Sequence, residues 1–102
     1  MSVDTQRSVL IRTVKLLNAV VTTGAGSAYQ LPQKKTFHIE GITTATVKIQ
    51  CSNDNSNWFD MATATADGAY ENDSPWAYIR ANVTAWTSGT ITVTAGYSQD
   101  DI

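Results

Sequence analysis

Ala45-Thr46-Val47-Lys48-Ile49-Gln50-Cys51 alternates without a break: Ala45, Val47, Ile49 and Cys51 fall on one side, Thr46, Lys48 and Gln50 on the other. A period of two marks a half-buried strand, apolar face inward. The next residues, Ser52-Asn53-Asp54-Asn55-Ser56-Asn57, form a turn by composition, because Asn and Asp tolerate left-handed backbone and bond their own main chain. Trp58 to Ala62 then returns antiparallel, completing a hairpin.

The same period spreads in both directions. Downstream, Trp76 to Val83 places Ala77, Ile79, Ala81 and Val83 on one face, and Thr90 to Tyr97 does the same with Ile91, Val93, Ala95 and Tyr97. Thr84 to Gly89 reads as the turn between them, and Thr63 to Ser74 as a polar connection holding a tight Asp67-Gly68 turn. Upstream, Lys35 to Glu40 alternates around Phe37 and Ile39 until Gly41 ends it. Before it come a short Tyr29-Gln30-Leu31 segment stopped by Pro32 and a flexible break at Gly24-Ala25-Gly26-Ser27. Thr13 to Thr23 is a first strand with Val14, Leu16 and Val20 on one face. Seven or eight short strands with no room for a crossover helix predict an all-β chain. The expected architecture is an antiparallel β-sandwich, jelly-roll-like, over 13–102, preceded by an N-terminal arm at 1–12.

Composition agrees and narrows the function. The chain has 102 residues and is 42% hydrophobic, enough for one domain with one core. A net charge of −2 argues against nucleic-acid binding. No apolar run approaches the ~20 residues of a membrane-spanning helix, and Asp4 and Arg7 interrupt any signal-peptide core. One cysteine and one histidine exclude a disulfide framework and a closed zinc site. No cofactor is expected. Charge is split along the chain: residues 1–48 carry six basic and two acidic groups, residues 49–102 one basic and seven acidic.

Each candidate for chemistry has a plainer reading. His38 sits on an outward strand face with no nucleophile motif near it, which predicts an exposed position and no catalytic role. Cys51 shares a face with Val47 and Ile49 and has no adjacent basic residue, so a small buried hydrophobe is expected, and a free thiol suits synthesis in a reducing host cytoplasm. Asp54-Asn55-Ser56-Asn57 has the look of a calcium loop but lacks its Gly, and Thr65 stands where the bidentate Glu should be. Gly24-Ala25-Gly26-Ser27 has no Lys-Ser/Thr after it and is no phosphate loop. Asn82-Val83-Thr84 matches a glycosylation acceptor with no secretory signal to go with it.

Two features ask for a partner. If Ala77 and Ile79 face the core, Trp76 and Tyr78 stand exposed together, while Trp86 falls in a loop with something to cover. On the polar arm, Val9-Leu10-Ile11 is an apolar triplet that needs burial, either on a neighbouring molecule or as an edge strand of its own sheet. Partner-binding residues are therefore expected at Val9, Leu10, Ile11, Trp76, Tyr78 and Trp86.

Val47 to Trp58, with its Ser52-x-Asp54-x-x-x-Trp58 turn, followed by Tyr78-Ile79-Arg80-Ala81-Asn82-Val83, resembles a pattern of discoidin-like sandwiches and of small β-rich structural proteins of tailed bacteriophages. The closing Gly89-Thr90-Ile91-Thr92-Val93-Thr94 strand is similar to the phage version. The resemblance covers about half the chain and is architectural. It implies a non-enzymatic virion protein made in the host cytoplasm: a capsid decoration (cement) protein or head fibre on the capsid surface, with a tail or neck component as an alternative. The partners it implies are the major capsid protein or other virion proteins and further copies of the chain, without nucleic acid or membrane. A carbohydrate-binding module stacking glycans on Trp76, Tyr78 and Trp86 is the competing expectation.

Overall fold

The computed structural model describes the main chain of residues 8–101 and the side chains of residues 10–98. The fold is all-β and antiparallel, as the alternation requires. The described residues form six strands: β1 (Ser8–Val20), β2 (Gly24–Ala25), β3 (Lys35–Ser52), β4 (Phe59–Ala64), β5 (Gly68–Asn72) and β6 (Tyr78–Asp101).

Two of the strands are long, and each serves two layers. One layer runs β1, the end of β6, the beginning of β3, then β5. The other runs β2, the beginning of β6, the end of β3, then β4. Phe37 and Ile49 prove that the layers face each other. Twelve residues apart, they would stand about 40 Å apart on a straight strand. Instead both line one small cavity of about 90 Å³, with Met61 and Tyr70. Counting each bent strand twice gives eight, wound 1-8-3-6 in one layer and 2-7-4-5 in the other, the winding of a jelly roll.

The bend explains why eight short strands become six. Gly41 was expected to end a strand, and Gly89 to lie in a turn; both instead sit inside continuous strands where the ladder slips register between Glu40 and Ala45. Gly41 has φ +88°, and a Cβ there would lie 1.8 Å from the Thr90 carbonyl oxygen. Gly89 has φ +123°, and its Cβ would lie 2.4 Å from the Gly41 carbonyl oxygen. Only a residue without a side chain lets the two strands cross this closely. The polar stretch expected to connect strands also contains one, β5, which pairs with 35–39 of β3.

The core is the apolar set named by the alternation: Phe37, Ile39, Val47, Ile49, Ile79, Val83, Ile91 and Val93 are all buried between the layers. In β1 a register shift between Lys15 and Leu17 turns both Leu16 and Leu17 inward. Lys35 is the buried charged residue among the described residues, only 3% exposed. Its Nζ donates to the carbonyls of Gln33 and Ser74, each at 2.8 Å, and of Pro32 at 3.4 Å. Those bonds tie together the two loops at the end of the sandwich opposite the bend.

The leading segment is not a detached arm over its whole length. Ser8 to Arg12 are the first residues of β1, paired with Asp101 to Tyr97, which is the edge-strand placement. Residues 1–7 lie outside the described residues. Because β3 begins at Lys35, opposite Tyr97, the layer narrows to β1 and β6 beyond that point. Ser8 to Ile11 and Ser98 to Asp101 thus form a two-stranded ribbon.

Candidate functional site

The ribbon carries the expected apolar patch. Leu10 pairs with Gln99 and Ile11 with Ser98. Consecutive strand residues point to opposite faces, so apolar side chains stand on both sides of the ribbon, Leu10 39% and Ile11 72% exposed. Val9 pairs with Asp100 in the same ribbon; its side chain lies outside the described residues. At the foot of the ribbon a groove of about 570 Å³ crosses the outer face of its layer, from Ile11 over Gly96 and Thr36 to Lys34 and Glu71. Gly96 lowers the floor by having no side chain.

The three aromatic residues singled out in the sequence do not form one platform. Trp76 lies in the connection before β6, its main-chain N–H donating to the Ser74 carbonyl at 2.9 Å, and its ring packs against the core. Tyr78 opens β6 opposite Ser52 and is half-buried. Parity placed the two on one exposed face, but that reasoning holds only inside a strand, and the strand starts at Tyr78. Trp86 is not in a loop: it sits within β6 at the bend, opposite Ala45. Its indole N–H donates to the Gly89 carbonyl at 3.0 Å, and the ring walls a recess of about 270 Å³ lined by Thr43, Thr44, Thr46, Thr65 and Thr87.

A different cluster, not anticipated from sequence, occupies the outer face of the second layer. The Arg80 guanidinium lies 4.2 Å over the Trp58 ring, a cation–π stack. Its Nε donates to Gln50 Oε1 at 2.8 Å, and Gln50 Nε2 donates to Asp60 Oδ1 at 3.0 Å. Lys48 Nζ donates to Asp60 Oδ2 at 2.7 Å, and Asn82 Nδ2 reaches Gln50 Oε1 at 3.4 Å. Hydrogen bonds from Lys48 and Gln50, with the Lys48 charge, hold the Asp60 carboxyl below the ordinary range. Gln50 is only 8% exposed although it faces outward, because these neighbours cover it. The stacking partners are 22 residues apart, and only the β3 register brings them together. The one signal in the sequence is the run of polar residues at outward positions 48, 50, 80 and 82.

The remaining candidates are structural. Asp54 organises its turn: Oδ1 accepts from the Ser56 and Asn57 main-chain N–H groups at 2.9 and 2.8 Å and from Ser52 Oγ at 2.9 Å, while Oδ2 accepts from Asn57 Nδ2 at 2.7 Å. These bonds, led by those from Asn57, keep its carboxyl ionised well below the ordinary range. Both oxygens are thus committed to the turn, and among the described residues no acidic, histidine or cysteine group is clustered to hold a metal. His38 is on the outer face, its Nε2 3.7 Å from Glu40. Cys51 is buried, its thiol 3.6 Å from the Phe59 carbonyl, and burial pushes its pKa up.

No known protein-family model matches the chain, and no curated protein matches it. In structure it is similar to the SPBc2 prophage-derived protein YomS, with a TM-score of 0.74 over 90% of this chain and 96% of that one, at 14% sequence identity. The likeness spans nearly all of both chains and is one of fold.

Proposed function

We propose that the chain is a non-enzymatic structural protein of a phage particle, a capsid decoration protein that binds the head through its ribbon and neighbouring loops. The observation that carries the reading is the ribbon: a two-stranded element with apolar side chains on both faces is marginal in water and gains its stability from a neighbour. A fold shared over 90% of the chain with a prophage-derived protein supports the phage setting. The Ser52–Trp58 turn, closed on itself by Asp54, fits the architectural role that its discoidin-like pattern implies. Partners would be the major capsid protein or other virion proteins, with many identical weak sites adding to firm attachment. Gel analysis of purified particles tests it: a stoichiometric 11.0 kDa band is expected, lost when Leu10→Ser and Ile11→Ser are combined. Particles lacking the band contradict the reading.

A carbohydrate-binding role is the second reading, and the Trp86 recess favours it, since a fixed indole ringed by threonine hydroxyls can stack and hydrogen-bond a sugar. A glycan array distinguishes the two: binding abolished by Trp86→Ala supports it, and a blank array removes it.

A further inference from the structure

We propose that the ribbon of one copy seats on the Trp58–Arg80 face of a second copy, joining the molecules head to tail. The inference deepens the assembly reading and rests on it, but it concerns contacts between copies rather than the particle surface.

The receiving face is built for an acidic, partly apolar guest. Trp58 stacking and the Nε bond to Gln50 fix the Arg80 guanidinium, and its two terminal nitrogens have no acceptor among the described residues. The Asp60 carboxylate pairs with Lys48 and accepts from Gln50, and makes no ion pair with Arg80 among the described residues. Lys48, Arg80 and Asp60 together leave the face at +1. Thr63, exposed and paired with Lys48, lies at the edge of the same face. Trp, Tyr and Arg are enriched at protein interfaces. Tyr78 completes the set two residues before Arg80 on the same strand face.

The ribbon has the complementary character. Residues 8–12 and 97–101 carry Arg12, Asp100 and Asp101, a net charge of −1, beside exposed Leu10 and Ile11. Ribbon and face belong to different layers, so seating the ribbon on its own chain would strip β1 from β6. A second copy meets no such cost. Because the two surfaces differ, the contact is heterologous and repeats from copy to copy, closing as a ring or continuing as a row.

Disulfide trapping in the full chain tests this. One variant carries Ile11→Cys and another Thr63→Cys; Cys51 is buried and stays in place, with the unaltered chain as control. Under mild oxidation the mixture is expected to cross-link at least about tenfold faster than either variant alone. Arg80→Glu in the Thr63→Cys chain should slow it about tenfold, and Asp100→Lys with Asp101→Lys in the other chain should restore it. Faster cross-linking of the Ile11→Cys chain with itself, no cross-link in the mixture, or failure of the charge exchange overturns the proposal. Particle binding that persists without the cross-link would leave the decoration reading intact while removing this one.

Discussion

Ile91 and Leu10 stand on neighbouring strands of one layer and point to the same side of it, yet Ile91 is fully buried and Leu10 is 39% exposed. What separates them is the second layer. Ile91 lies where the bent strands fold one sheet face onto the other. Leu10 lies past the start of β3, on a ribbon with no opposing layer among the described residues. Both are strand residues; only the bend makes one of them core. The closed body stabilises itself, and the ribbon is left with exposed apolar surface.

The sharpest way to break the contrast is at the bend. Gly41→Ala forces a Cβ into the Thr90 carbonyl at a positive φ, and a loss of about 4 kcal/mol in urea denaturation is expected, or outright failure to fold. A stable Gly41→Ala chain would mean the layers do not depend on this crossing. Lys35→Met should cost less, about 2 kcal/mol, since it leaves the Gln33 and Ser74 carbonyls without their buried donor. The comparison is with Lys34→Met, whose exposed side chain predicts little change.

A smaller effect is set by pH. Asp54 and Asp60 have folded-state pKa values below the ordinary carboxylate value of 3.8. Groups shifted in this direction contribute stability above that value, and it is lost as the pH falls through their folded-state pKa. The denaturation midpoint should therefore drop below about pH 4, and Asp54→Asn should flatten the fall; an unchanged acid profile would show that the turn does not support the fold. Smallest of all is the effect of Leu10→Ser with Ile11→Ser on the isolated chain, within about 0.5 kcal/mol, because neither residue belongs to the core.

Much of the body was legible in the sequence. Ala45, Val47, Ile49 and Cys51 are buried as their alternation requires, and so are Ile91, Val93 and Ala95. What was not legible shares one cause: a glycine with positive φ serves a turn and a strand bend equally well, so Gly41 and Gly89 gave no sign that β3 and β6 run on. The polar β5 escaped because Gly-Ala-Tyr-Glu-Asn has almost no apolar face of its own. At the candidate site, Leu10 and Ile11 were visible as unpartnered apolar residues. The Trp58–Arg80 stack was not, since it depends on register between distant strands.

Hydrogen exchange at the main-chain amides of the ribbon and of the body tests the central claim most directly. In the isolated chain, Leu10, Ile11 and Ser98 should exchange at least about a hundredfold faster than Ile39, Ile91 and Val93. In the assembled state the ribbon amides should slow toward the body's rates. A ribbon already as protected as the body in the isolated chain, or one unprotected in the assembly, would contradict the division between a self-sufficient body and a ribbon that needs a neighbour.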